Sequence, residues 1–319
     1  MLSRVADSLY WMSRYLERAE HTARLIDVDL QLRLEQAPEV GAGHWSRLIE
    51  ALEAPLPPSG TVDAASITQI LTLDRSNGSS ILSCVAAARE NLRQVREQCS
   101  SEMWEQLNRL YLQVNSTTAG EAWLLNSHVF FRAVQEGAHL FQGVTDSTML
   151  HGEGWRYIQL GRFVERTDLL ARLVRTHFAS RARTSDAAIE SEEYLEWVGL
   201  LKSCSAFEAY CKTYTAELRP VRIAEFVLLN PEFPHSVRFS VDRIDAALQS
   251  IGELTERRAE QPIRLAGRLQ ATLSFSQIDE IMGSGASGYV DGVRWQCAQV
   301  HNAIQQVYFD YAIEQALVS

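Results

Sequence analysis

Nothing in the chain is apolar for long enough to cross a bilayer, which takes roughly 18–20 consecutive residues. Its opening, MLSRVADSLYWMSR, also lacks the continuous apolar core and small-residue cleavage site of a secretory leader. Positive charge is in deficit: the net charge is −10 and the pI about 5.4, so no overall field would draw the chain onto nucleic acid or an anionic membrane. The five cysteines, at 84, 99, 204, 211 and 297, never stand as C-x-x-C. That removes the common zinc and dithiol signatures and leaves the thiols as small reduced core residues. Nucleophilic catalysis lacks its Gly-x-Ser-x-Gly turn, and Gly283-Ser-Gly-Ala-Ser-Gly288 lacks the Gly-Lys-Ser/Thr of a phosphate loop. These absences predict a cytoplasmic protein with no metal, nucleic-acid or membrane association. They name no cofactor.

Proline is missing where it matters most: of eight, none lies between Ser59 and Arg219. Helical periodicity dominates there and nothing alternates with strand period, so an all-α helical bundle is predicted. At 46% hydrophobic over 319 residues it can bury a substantial core. Helices are expected over Ser3–Leu34, Val62–Leu73, Ser80–Gln98 and Glu102–Gln113. Another opens at the capping box Thr118-Ala-Gly-Glu121 and runs through His139. Later ones are expected near 153–180, 187–215, 262–282 and 290–316. Pro38, Gly41, Gly43 and PLPPSG at 55–60 mark a looser region. Asn230-Pro-Glu-Phe-Pro234 is a hard break, after which Ser236 can cap a helix. Gly283–Gly288 reads as a flexible connection.

What is present is a repeat. RYLERAEHTARLI, from Arg14 to Ile26, returns as RFVERTDLLARLV from Arg162 to Val174. Arg14, Glu17, Arg18, Ala23, Arg24 and Leu25 recur identically as Arg162, Glu165, Arg166, Ala171, Arg172 and Leu173. A long-period similarity that occurs twice points to duplication of a helical unit, with units of roughly 1–140 and 141–319 and repeat helices near 3–34 and 153–180. On a helical wheel Met12, Leu16, Ala19, Ala23 and Ile26 form one apolar face, opposite Arg14, Glu17, Arg18, Glu20, His21 and Arg24.

A solvated charged face accounts for Glu20→Arg24 and Asp168→Arg172 as i,i+4 pairs. It accounts poorly for Arg14-Glu17-Arg18 recurring unaltered, because solvent tolerates exchange of arginine for lysine, and no lysine falls in either copy. Arginine is preferred where a planar bidentate donor must meet carboxylate or phosphate. Two readings follow. In one, the repeat helices pack together and their arginines and glutamates cross-pair about a pseudo-two-fold axis. In the other, Arg14, Arg18, Arg162, Arg166 and His21 hold an anionic substrate group while Glu17 or Glu165 acts as catalytic base or metal ligand. Spacing alone does not separate them.

Four blocks carry a wider resemblance: LSRVADSLYWMSRYLERAEHTARL at the start, AARENLRQVREQCSSEMWEQLNRLYL at 87–112, HLFQGVTDSTMLHGEGWRYIQLGRFVERTD at 139–168 and EFVLLNPEFPHSVRFSVDRI at 225–244. Spread from end to end, they resemble the bacterial alpha-E domain, from which the glycine-rich tract at 283–292 departs. The resemblance implies an all-helical protein, encoded beside or fused to a circularly permuted ATP-grasp protein, often with a transglutaminase-like peptidase nearby. ATP-grasp ligases join a carboxylate to an amine. The implied role is that of an accessory or catalytic subunit making or modifying a peptide or amide compound, with a peptide or a small carboxylate or amine as ligand. The same blocks add Asp146, His151 and Glu153 as substrate-binding candidates in a turn before the second repeat, where Asp146 and Ser147 could instead cap the incoming helix.

Two rival readings come from other classes. A non-catalytic scaffold would use Trp104, Trp123, Trp155 or Trp197 as interface anchors. A carboxylate-bridged di-metal bundle needs two helical Glu-x-x-His motifs. Glu136-Gly-Ala-His139 is one, but Glu232-Phe-Pro-His235 lies in the proline break.

Overall fold

A run of 32 residues free of proline and glycine, Ser3–Leu34, forms the first helix, α1. In the computed structural model the described residues are 1–34, 42–56, 63–117, 127–179, 191–214, 217–254 and 260–309. Fourteen α-helices and no strand occur among them. After α1 come α2 (Ala42–Leu52), α3 (Ala64–Thr72), α4 (Ile81–Gln94), α5 (Ser101–Asn115) and α6 (Ser127–Thr148). The second half holds α7 (Glu153–Ala179), α8 (Ser191–Ser203), α9 (Phe207–Tyr214), α10 (Pro220–Leu229) and α11 (Val237–Leu254). It ends with α12 (Glu260–Phe275), α13 (Ile278–Ser284) and α14 (Ala286–Ile304), which runs into a π-helical turn, Gln305–Phe309.

The same packing order occurs twice. α1 lies against α4 and α6, α4 against α5, and α5 against α6. In the second half α7 lies against α11 and α14, α11 against α12, and α12 against α14. Local chemistry repeats as well. Ser80 caps α4 by accepting from the Ser83 amide at 3.2 Å, and Ser236 caps α11 by accepting from the Phe239 amide at 3.0 Å. Both caps follow an asparagine turn, Asn77 accepting from the Ser79 amide and Asn230 from the Glu232 and Phe233 amides.

The halves interlock where their central helices meet. α1 and α7 run parallel and pack on each other, while α2 of the first half crosses onto α7 and α8 of the second crosses onto α1. α2 and α8 end alike, on left-handed residues that are not glycine, Glu53 (φ 49°) and Ser205 (φ 51°). One apolar core runs through both halves. α1 and α7 approach so closely that a Cβ at Gly161 would stand 2.2 Å from the Tyr10 carbonyl oxygen, so the crossing requires glycine there.

Several expectations change. α2 forms in the stretch read as loose, and α10 starts on Pro220 at its first turn, where a missing N–H costs nothing. The segment expected as one helix over 187–215 breaks at Ser205. The glycine-rich tract is not a flexible connection: α13 and α14 cover it except at Gly285, whose φ of 97° makes a one-residue corner. Asp146 and Ser147 belong to the last turn of α6 and do not cap α7. The capping box Thr118–Glu121 and Trp123 lie outside the described residues. Among the described residues no helix is long and apolar enough to cross a membrane.

Candidate functional site: an arginine–glutamate cross-brace between the repeats

The face of α1 opposite its apolar stripe is not in solvent. Glu17, Glu20, His21, Arg14 and Arg24 are all buried, because α7, α6 and α8 close over them. Solvated charge is therefore the wrong reading of that face. Its partner is the second copy of the same sequence. Glu165 accepts from Arg14 Nε and Arg18 Nε, each at 2.6 Å. Reciprocally, Glu17 accepts from Arg166 Nε at 2.5 Å and Arg166 Nη2 at 3.0 Å, and Arg162 Nε stands 3.7 Å from it. Exchanging Arg14 with Arg162, Glu17 with Glu165 and Arg18 with Arg166 maps one half of the cluster onto the other. That is a pseudo-two-fold axis along the parallel pair.

Outer residues extend the brace. Arg24 binds Glu20 one turn back at 2.5 Å and donates to the Ser203 carbonyl of α8 at 2.8 Å. Arg172 pairs with Asp168 one turn back and with Glu53 at the end of α2. Arg294 of α14 reaches both acids, at 3.1 and 2.6 Å. His21 lies beside Arg24, with Nδ1 accepting from Nη2 at 3.3 Å. Two cavities flank the Glu165 side. One of about 380 Å³ is bordered by Arg14, Asp168, Arg294, Trp295 and His301, and one of about 220 Å³ by Arg18, Glu53, Ser79 and Arg172.

The electrostatics follow from burial against pairing. Burial pushes Glu165 toward its neutral form, but Arg14 and Arg18 outweigh it and hold the carboxyl at about 2. Glu20 also stays ionised, at about 2, through Arg24 and His139 despite burial. Burial, then the nearby Arg24, drops His21 to about 3, so it is neutral at pH 7. His301, lowered to about 4 by burial and Arg14, is neutral too. Arg14 Nη1 lies 3.1 Å from His301 Nδ1 and 3.2 Å from its Nε2, and the Tyr10 hydroxyl lies 2.8 Å from Nδ1; arginine can only donate, so the neutral ring accepts from Arg14 through its unprotonated nitrogen. Burial and the like charge of Arg166 lower Arg162 as well, to about 10.

Of the residues singled out in the sequence, Arg14, Glu17, Arg18, Arg162, Glu165 and Arg166 meet in one cluster with His21 at its edge. The turn before α7 stands apart. His151 donates to the Asp146 carbonyl at 2.9 Å and stacks on Trp155, and Glu153 binds the Met1 amino group at 2.8 Å. Glu153 precedes Glu165 by roughly 18 Å of helix, while the Asp146 charge acts on Arg162 from outside the cluster. Trp197 is core and Trp104 lies under Arg89 and Arg96. Glu136 pairs with Arg132 on an exposed stretch of α6. Among the described residues no three His, Cys, Asp or Glu side chains converge as a metal centre requires.

Sequence reasoning missed Gln142, Ser79 and His301. Gln142 of α6 donates to Glu17 Oε2 at 3.3 Å, and Ser79 accepts from Arg18 at 3.3 Å. In the second half Arg166 Nη1 donates to the Pro234 carbonyl at 3.1 Å, next to His235. A signal existed in the two serine caps, but Ser80 and Ser236 stand in a register different from that of the arginines, so one fixed offset hides them.

A family model named Alpha-E, described as a predicted alpha-helical domain with a conserved ER motif, matches residues 1–309. Glu-Arg stands at the centre of each copy, as Glu17-Arg18 and Glu165-Arg166, and once more at Glu256-Arg257, outside the described residues. Uncharacterised proteins of Mycobacterium bovis and Mycobacterium tuberculosis are each 22% identical over 331 residues, covering 95% of this chain and 36% of their own length. The chain thus spans about a third of the curated relatives it matches. No solved structure matches it.

Proposed function

This chain belongs to the Alpha-E family, and from that premise we propose that it serves as the accessory, non-enzymatic helical module of an ATP-grasp amide-ligase system that makes or modifies a peptide or amide compound. One observation carries the non-enzymatic part. The two glutamates of the repeated Glu-Arg pair are each engaged by arginine donors on the opposite helix. A general base works best with a pKa near the operating pH. Glu165, held at about 2, is far from that range. A catalytic role for Glu17 or Glu165 is the reading that this geometry favours less.

The partnership rests on the family resemblance, in which a circularly permuted ATP-grasp protein is fused or encoded alongside. In the mycobacterial relatives about two thirds of the length lies beyond the match, so there the matched unit is one part of a longer chain. The test is co-expression with the neighbouring ATP-grasp protein, followed by co-purification and mass spectrometry of products. A recovered complex, with product yield per folded molecule unchanged in Glu165→Gln, is the expected result. No complex at micromolar concentration, with or without nucleotide, refutes the partnership. A Glu165→Gln protein that stays folded but loses product refutes the non-enzymatic role.

A further inference from the structure

The cavity of about 380 Å³ is bordered by an indole that the core does not use: Trp295 of α14 is 63% exposed. Asp291, Arg294, Trp295, Ala298 and His301 recur at the i+3 and i+4 steps of one face of α14. They share the cavity with Asp168 and Arg172 of α7, on which α14 packs, and with Arg14 of α1 beside His301. The His301 end is basic and held in place. Arg14 is buried, its guanidinium 4.8 Å from the centre of the Trp11 ring, with Nε on Glu165 and Nη1 on His301. Arg14 Nη2 and Arg294 Nη1 make no hydrogen bond among the described residues. Asp168 does not oppose an anion here, because Arg172 and Arg294 hold its two oxygens. In the linked pairs Arg14, Arg18, Arg172 and Arg294 meet only Glu165, Asp168 and Glu53, which leaves one positive charge over. The remaining acid, Asp291, is more than half exposed and stands near Arg175, roughly 15 Å of helix from His301.

We propose that this groove between α7 and α14 binds an organic anion, a planar apolar group carrying a carboxylate or phosphate head. The head takes the unengaged N–H groups of Arg14 and Arg294, the donors suited to an oxyanion, and the ring lies against Trp295. Trp295 and His301 are separated by roughly 9 Å of helix, the reach of a ring joined to its head by a short linker. Ala298 stands between them on the same face, exposed, and its small side chain leaves the groove open. The volume lies within the range of about 300–1,000 Å³ of small-molecule pockets. Asp291 at the far end repels the head and so directs it toward Arg14. The site does not depend on the ligase reading; it follows from the groove alone.

Isothermal titration of the full chain with phenylpropionate and, separately, with phenyl phosphate at constant ionic strength tests it, with phenylpropanol as the uncharged control. Saturable binding of either anion, about tenfold or more tighter than the alcohol, supports the site, and the arm that binds identifies the head. Trp295→Ala removes the ring platform and Ala298→Leu fills the groove. Both residues are exposed, so each variant should melt with the parent yet bind about tenfold or more weakly. Absence of saturable binding in both anion arms overturns the proposal. So does an alcohol that binds as tightly as the anions, or unchanged affinity in either folded variant.

Discussion

Replacing Glu17 by glutamine removes one negative charge from a place where water cannot compensate. The Glu17 side chain is 1% exposed and that of Arg166 3%, and two of the arginine's N–H groups are directed at the carboxylate. The amide keeps the shape but offers one acceptor and two donors, so an N–H group must face the guanidinium. Breaking a buried pair by removing one partner costs about 3–5 kcal/mol, most of it from the stranded charge. At roughly 2–3 °C per kcal/mol for a chain of this size, the melting temperature should fall by roughly 6–15 °C. Differential scanning calorimetry or a urea series at pH 7 measures it. The stranded-charge argument makes a sharper claim: Glu17→Gln combined with Arg166→Met should lose less stability than the two single variants added together. A single-variant shift below about 3 °C, or strict additivity in the double variant, would refute the cross-brace.

The same geometry sets a pH dependence. Glu165, depressed to about 2 in the fold, contributes about 3 kcal/mol above its ordinary pKa of 4.5, lost as pH falls toward 2; urea midpoints in Glu165→Gln should be flatter over that range. His21 and His301 are neutral in the fold but take up a proton when unfolded, so stability should begin to decline below about pH 6.5, and His21→Asn should reduce that upper slope. Gly161→Ala drives a methyl group into the Tyr10 carbonyl and should cost ~3 kcal/mol or leave the protein insoluble, whereas Gly292→Ala, with open space around its Cβ inside α14, should gain ~0.5–1 kcal/mol; melting curves of both decide it.

The helices themselves were legible in the chain. The proline-free stretch from Ser59 to Arg219, the 3.6-residue rhythm and the Ser236 cap are local chemistry, and local chemistry sets where a helix starts and stops. The repeat was legible too, because arginine and glutamate recurring unaltered at four positions is a stronger constraint than a hydrophobic stripe, which many sequences satisfy. Other features needed the third dimension. Periodicity marks the apolar face of α1 but says nothing of what covers the opposite one, and only the packing of α7 against it makes Arg14 and Glu17 interior residues. The exchange of α2 and α8 between the halves leaves no trace in the order of residues, since crossing over and folding back demand the same amphipathic helix. The 3.7 Å gap between Arg162 and Glu17, against 2.6 Å between their counterparts Arg14 and Glu165, is a tertiary fact as well. It arises because α6 brings the Gln142 amide to Glu17, a hydrogen bond across 125 residues whose geometry no spacing along the chain encodes.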